Sequence, residues 1–151
     1  MRKIVVSSIV IIALAVSGGV WSDNARAASS VANDFEPFAV GWGVASTKAK
    51  AADKAEAKCV QNGGDPGVEA FTAVNGPGWS AVYRADDNSY VSHSYRYSKK
   101  GKAKRRGKEF CESNSGRPCI LVKAFYDEFE PENKSVSDGL PGVQGHFVNA
   151  K

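Results

Sequence analysis

The chain has 151 residues, 42% of them apolar and 24% charged, and a formal net charge of +4. This length and composition are those of a globular chain with one core. A net charge this small excludes the class of proteins that bind nucleic acid through their overall positive charge. The two histidines form no cluster with metal-ligand spacing, so no metal and no other cofactor is expected.

The amino terminus has the pattern of a secretory signal peptide. Two basic residues precede an apolar run, Ile4 to Val16, which is shorter than the roughly 20 residues that a membrane-spanning helix needs. Small residues in Ala25-Arg26-Ala27 suit a signal peptidase, which predicts a signal over residues 1–27 and a mature chain from about Ala28. The alternative is an uncleaved membrane anchor. We expect the protein in the periplasm or outside the cell, with no membrane span once the signal is removed.

Removal of the signal changes the charge. Residues 1–27 contain three of the 20 Lys and Arg residues and one of the 16 Asp and Glu residues, which leaves the mature chain near +2. The remaining charges are unevenly distributed, with a basic segment at 99–108 and an acidic segment at 127–138. The mature protein is therefore expected to be polarised although it is almost neutral.

Composition also predicts where the folded unit begins and ends. Residues 28–33 are small and mostly polar, and we expect them to fray. Residues 130–151 contain two prolines, three glycines and few large apolar side chains, so they are predicted to form a flexible C-terminal tail. The domain is expected to span residues 34–129.

In the first half of that domain, local patterns predict a strand, a helix and a hairpin. An apolar run leads into a segment rich in Ala and Lys without Pro or Gly, which predicts a helix capped by Ser46 or Thr47. A cluster of Gly and Pro then ends the helix, and two alternating runs separated by a Gly-Pro-Gly turn predict antiparallel strands. The predicted elements are strand 38–44, helix 47–58, and strands 68–74 and 79–84.

The second half repeats this order. The stretch Ser46 to Cys59 returns fifty-two positions later as Ser98 to Cys111, with its serine, two lysines, an alanine and the cysteine in step. The predicted elements here are strand 90–97, helix 99–112 and strand 119–125.

Each predicted helix carries a stripe of small residues at i, i+4 and i+8, which permits close packing on a sheet. The stripes are Ala51, Ala55, Cys59 and Ala103, Gly107, Cys111. Neither helix has a large apolar face of its own, so both are expected to pack on a shared sheet. We therefore predict an α+β fold: a single small domain with an antiparallel sheet of about five strands, two helices packed on one face, and pseudo-duplicated strand-helix-strand repeats.

The spacing of these motifs resembles a known family. In order, the motifs are Gly41-Trp42-Gly43, Ala51-x3-Ala55-x3-Cys59, Ser80-Ala81-Val82, and Ala103-x3-Gly107-x3-Cys111 followed by Cys119 at the start of an apolar strand. Over residues 40–124, this order resembles the secreted bacterial family called domain of unknown function 4189. The resemblance implies secretion and a duplicated α+β fold, and it implies no activity.

Three cysteines in a secreted domain can close one disulfide and leave one thiol. Cys111 and Cys119 flank the short break after the second helix, and this short loop favours a disulfide between them. The alternatives are pairs that involve Cys59. If Cys59 is the remaining thiol, it is expected to be buried as a small apolar side chain, and intermolecular pairing is the other hypothesis.

A basic segment on the second predicted helix is the most distinctive surface feature. Its cations lie off the small stripe, and Tyr95 and Tyr97 precede it on the neighbouring strand. Cations beside tyrosines suit phosphate groups of nucleic acid or of an anionic envelope polymer. The alternatives are an ordinary solvated helix face, and a face covered by the acidic residues 127–132. The candidate cations are Lys99, Lys100, Lys102, Lys104, Arg105, Arg106 and Lys108.

These patterns indicate a small secreted or periplasmic binding protein without catalytic activity. Its partner is either an anionic envelope polymer, bound by the basic helix, or another protein, bound through an exposed Trp79 and Tyr83. One alternative is an inhibitor or immunity-type protein against an envelope-acting enzyme or toxin. Another is a small secreted nuclease that uses His93 with Arg96 and Glu69. An alternating strand more often presents such a histidine to solvent without a catalytic role.

Overall fold

The structure is a computed structural model, and it describes residues 28–127 and 141–147. The predicted signal peptide at 1–27 lies outside the described residues, and so does most of the predicted tail. The elements within the described ranges are β1 (Ala28–Phe35), β2 (Phe38–Ala45), α1 (Lys48–Gln61), β3 (Ala70–Asn75), β4 (Gly78–Ala85), β5 (Tyr90–Tyr97), α2 (Lys100–Ser115), β6 (Cys119–Asp127) and β7 (Gly142–Phe147).

The two predicted helices are confirmed, each about one turn longer than predicted at its carboxyl end. Thr47 is the N-cap of α1, and its side-chain oxygen accepts a hydrogen bond from the backbone N–H of Lys50. Helix α2 has no side-chain cap at Lys99. It ends at Gly116, which adopts a left-handed φ of 66° that suits glycine and returns its N–H to the carbonyl of Glu112.

Strand pairing gives two antiparallel sheets within the described residues. The first has the order β2-β1-β3 and the second has the order β6-β4-β5-β7. The prediction of one sheet of about five strands is therefore wrong. Each half of the described chain forms a hairpin, then a helix, then a third strand that returns beside the first strand of the hairpin.

The helices lie on the outer faces of different sheets. Helix α1 packs on β1, β2 and β3, while α2 packs mainly on β4, β5 and β6. The inner faces of the two sheets meet in a core of Val31 and Val40 from the first sheet and Val82 and Val91 from the second. The fold is α+β with four layers, helix on sheet on sheet on helix, and the prediction that both helices pack on one face is wrong.

Small residues explain how closely each helix approaches its sheet. The predicted stripes are confirmed as the buried faces of α1 and α2. A Cβ atom added to Gly41 on β2 would lie 1.9 Å from the carbonyl oxygen of Ala55 on α1. Under α2, the Oγ atoms of Ser92 and Ser94 donate hydrogen bonds to backbone carbonyls on the helix. Glycines in the first half and serines in the second thus take the place of a large apolar helix face.

The predicted domain boundaries differ from the structure at both ends. Residues 28–33 were expected to fray, but they form most of β1, the central strand of the first sheet, and they are buried. The folded unit therefore begins at or before Ala28 and not at Asp34. Within the predicted tail, residues 142–147 form β7, which pairs with β5.

Candidate binding surfaces

Helix α2 presents its predicted cations on the face opposite the sheet. Ala103, Gly107 and Cys111 are buried against the sheet, so the basic residues lie on the solvent side of the helix. All seven cations are exposed except Lys104, which is half-buried. The first turn contains no acidic residue.

Ion pairs on α2 occupy only the later part of the basic segment. Arg105 and Arg106 both pair with Glu109, at 3.8 and 3.2 Å, and Lys108 pairs with Glu112 at 3.6 Å. These side chains are about half exposed, so each pair contributes only about 0.3 to 0.5 kcal/mol. The four lysines before them have no carboxylate partner among the described residues, and positive charge is concentrated at the start of the helix. They are Lys99, Lys100, Lys102 and Lys104.

The two tyrosines predicted to accompany the cations lie elsewhere. Tyr97 is buried in the core beneath α2, where burial raises the pKa of its hydroxyl. Tyr95 is half-buried beside the ring of His93, and its hydroxyl lies close to Gly142 of β7. Neither tyrosine extends the basic face, because Tyr97 is covered by the helix and Tyr95 packs against β7.

A different aromatic pair adjoins the basic face. Trp79 on β4 and Tyr126 on β6 lie with ring centroids 5.2 Å apart, and the Nζ atom of Lys100 lies 5.2 Å from the Trp79 ring. Tyr126 is 44% exposed. Tyr126 was not among the predicted site residues, although its position at the end of an apolar strand, two residues after Ala124, was the available signal. The predicted exposure of Tyr83 is wrong, because that ring lies under α2 against Gly107.

His93 lies between the two sheets, so the predicted solvent-facing position is wrong. Its ring is fully buried and packs against the rings of Tyr95 and Phe125. Neither ring nitrogen has a hydrogen-bond partner among the described residues. Burial lowers the pKa of His93 to about 3, so the ring is neutral at physiological pH.

The predicted catalytic group is not assembled at the surface. His93 has no accessible surface with which to contact a substrate, whereas Glu69 is exposed in the loop before β3. Arg96 has a left-handed φ of 66°, and its guanidinium lies over Gly76 at the turn between β3 and β4. A hydrolytic site built on His93 would require the two sheets to separate.

The predicted disulfide between Cys111 and Cys119 is confirmed, with Cα atoms 6.2 Å apart. Cys59 is free and fully buried between α1 and the first sheet. Burial raises the pKa of its thiol, which keeps the sulfur in its unreactive protonated form. The hypothesis that Cys59 pairs with another molecule is therefore unsupported by its position, because its sulfur has no access to solvent.

Asp127 is the one residue of the predicted acidic segment that the structure describes. It ends β6 opposite Gly78 and is almost fully buried, and burial raises the pKa of its carboxyl to about 7. The other acidic residues of the segment lie outside the described ranges, so their predicted contact with α2 stays a prediction.

Within residues 28–127 and 141–147, no helix is long and apolar enough to cross a bilayer. The same residues contain no group of three acidic, Cys or His side chains placed to hold a metal ion. The resemblance to domain of unknown function 4189 stays a prediction that rests on the motifs. Comparison with protein-family models, with curated proteins and with solved structures found no match to this chain.

Proposed function

We propose that this protein is a non-catalytic, secreted or periplasmic binding protein, and that it holds an anionic envelope polymer on the outer face of α2. The observation that carries the proposal is the concentration of lysines at the start of that helix, which have no carboxylate partner in the part of the chain that the structure describes. Export is supported by the amino-terminal pattern and by the disulfide between Cys111 and Cys119.

The position of the lysines opposes helix stability. A helix N-terminus carries a partial positive charge, and each cation near it costs about 0.3 to 1 kcal/mol where the charges are poorly screened. Lys99 is the N-cap residue of α2 and Lys100 is its first residue, and the helix has neither an acidic residue in its first turn nor a side-chain cap. Helix α1, in contrast, begins with the Thr47 cap. An anion bound along the start of α2 would relieve this repulsion, so the lysines suit a ligand better than they suit the free helix.

The aromatic pair beside α2 favours a polymer with rings. Tyr126 and Trp79 form an accessible edge next to Lys100. Aromatic faces stack on the flat faces of sugars or bases, while the lysines take phosphate or carboxylate groups. A charged glycan and a nucleic acid both satisfy this chemistry, and the export of the protein favours the glycan.

Retention on immobilised heparin over a salt gradient tests the proposal. We expect the purified protein to elute late, and the triple variant Lys100→Ser, Lys102→Ser, Lys104→Ser to elute at least roughly 0.1 M NaCl earlier, because binding through several cations depends steeply on salt. The matched control is Lys48→Ser, Lys50→Ser, Lys54→Ser on α1, which removes the same charge from the other outer helix. Its elution should change by less than half as much.

Two results would contradict the proposal. Early elution of all three proteins would leave α2 as an ordinary solvated helix. Equal shifts in the two triple variants would show that retention follows net charge and not the α2 surface.

A further inference from the structure

The two sheets leave an open groove along one side of the molecule, away from the outer face of α2. It lies between β2 at the edge of the first sheet and β6 at the edge of the second, and its volume is about 400 Å³. Phe38 and Trp42 from β2 form one wall, and Ile120 and Val122 from β6 form the other. A volume of this size holds a few side chains.

Three cations surround the aromatic wall of this groove. The Nζ atoms of Lys58 and Lys123 lie 5.9 and 5.6 Å from the Trp42 ring, and the guanidinium of Arg84 lies 5.6 Å from the Phe38 ring. Within the described residues none of the three forms an ion pair. The groove therefore combines an apolar surface with positive charge that the described part of the chain does not neutralise.

The two edge strands beside the groove, β2 and β6, differ in whether the backbone groups on their free side form hydrogen bonds. On β2, the carbonyl of Val40 accepts a hydrogen bond from the Asn62 side chain at 2.7 Å, and the carbonyl of Val44 accepts one from Lys54 at 2.9 Å. On β6, the hydrogen bonds between Ile120 and Tyr126 run only to β4 within the described residues. The edge of β6 is thus the one that can accept another strand.

The side chains of β6 show what kind of strand would fit. Ile120 and Lys123 are paired with Arg84 and Val82 of β4 and lie on the groove face. Tyr126 is paired with Trp79 on the face that α2 covers only in part, and Leu121, paired with Tyr83, also borders the groove. Leu121 is 36% exposed and Tyr126 is 44% exposed. Facing residues on neighbouring strands interact in pairs, so acidic side chains suit the groove face and apolar side chains suit the other face.

We propose that the groove binds an extended segment of a partner protein, in which acidic and apolar residues alternate, as an added strand on the edge of β6. Backbone hydrogen bonds to β6 would supply affinity, and the cations around Trp42 would select the acidic side chains. A second copy of this chain fits less well. Antiparallel pairing of two β6 strands about their centres would place one Lys123 opposite the other, and like charges directly opposite repel.

Fluorescence anisotropy with labelled octapeptides tests the proposal. The probe alternates Glu and Val, one control alternates Lys and Val, and a second control alternates Glu and Pro. We expect saturable binding of the Glu-Val peptide and at least tenfold weaker binding of both controls. The Lys-Val peptide has the wrong charge, and the Glu-Pro peptide has half of its backbone N–H groups removed and cannot complete a strand ladder.

Matched variants locate the site. Lys123→Glu should weaken binding of the Glu-Val peptide at least tenfold, whereas Lys48→Glu, the same charge change at the exposed start of α1, should leave the dissociation constant within twofold. Unchanged thermal unfolding midpoints would show that both variants fold.

Absence of saturable binding, equal binding of the Glu-Val and Glu-Pro peptides, or equal losses in the two variants would each overturn the proposal. Heparin retention is independent of these readouts, so the groove and the α2 surface can fail separately.

Discussion

At the scale of single residues, the buried His93 ties the stability of the protein to pH. Its folded pKa of about 3 lies below the ordinary value of 6.5, so the unfolded chain binds the additional proton between these values. The contribution of the neutral His93 ring to the free energy of unfolding is therefore complete above pH 6.5, and it is lost progressively as the pH falls toward 3. Asp127 acts in the opposite direction, because its raised pKa makes stability fall as the pH rises from 3.8 through about 7.

A variant that lacks the His93 ring separates the effect of His93 on stability from that of Asp127. Asp127 titrates in both proteins, so we compare how much the free energy of unfolding changes between pH 7 and pH 5. We expect this change to be more favourable for His93→Leu, which fills a similar volume without a titratable group, than for the wild type. The expected difference is about 2 kcal/mol, from roughly 1.5 pH units of linked protonation. Urea unfolding of both proteins at the two pH values measures it. If both lost the same free energy of unfolding, His93 would not titrate as a buried neutral ring.

At the scale of elements, the contact between α1 and β2 depends on the missing side chain of Gly41. An added Cβ would lie 1.9 Å from the backbone oxygen of Ala55 and 2.3 Å from the backbone nitrogen of Cys59, so the helix would have to move away from the sheet. We expect Gly41→Ala to lower the free energy of unfolding by about 2 to 3 kcal/mol.

The matched control for that substitution is Gly101→Ala, in the first turn of α2, where an added Cβ meets no atom within 4 Å. Because alanine restricts the unfolded chain and favours helix, this variant should gain about 0.5 to 1 kcal/mol. Urea unfolding of both variants should therefore give changes of opposite sign. A neutral Gly41→Ala variant would mean that α1 does not approach β2 as closely as described.

Elements governed by neighbouring residues were predictable from the sequence, and those governed by distant pairing were not. The Thr47 cap, the small stripes and the disulfide between Cys111 and Cys119 depend on residues close in the chain or at helical spacing. The division into two sheets depends on pairing between remote strands, which periodicity does not encode. Strand β1 was missed because its small polar sequence lacks the large apolar residues of a typical central strand, yet α1 and the second sheet cover both of its faces.

The same reasoning explains the candidate sites. The cations of α2 were predictable, since a helix with a small buried stripe must expose everything else. Alternation around His93 indicated one polar face, but β5 is buried on both faces, by α2 and by the first sheet. The groove beside Trp42 combines residues from β2, α1 and β6, and only the relative placement of the two sheets brings them together.

At the scale of the whole molecule, the inner faces of the two sheets cover each other within residues 28–127 and 141–147. Val31 and Val40 from the first half contact Val82 and Val91 from the second, with aromatic rings from both halves around them. A separated first half would expose these valines together with Phe38 and Trp42. A unit of about 50 residues buries a smaller fraction of its surface than a larger domain does and is at best marginally stable alone. The second half is longer, but on its own it would expose Val82 and Val91.

We therefore expect neither half to fold by itself. Residues 28–77 and 78–151, prepared as separate fragments, should each give the poorly dispersed amide proton spectrum of an unfolded chain, and an equimolar mixture should recover dispersion because each half supplies the surface that the other buries. The uncut chain over residues 28–151 is the reference. A well-dispersed spectrum from either fragment alone would show that its helix and sheet are sufficient, and the core between the sheets would then be an interface between two independent units instead of the centre of one fold.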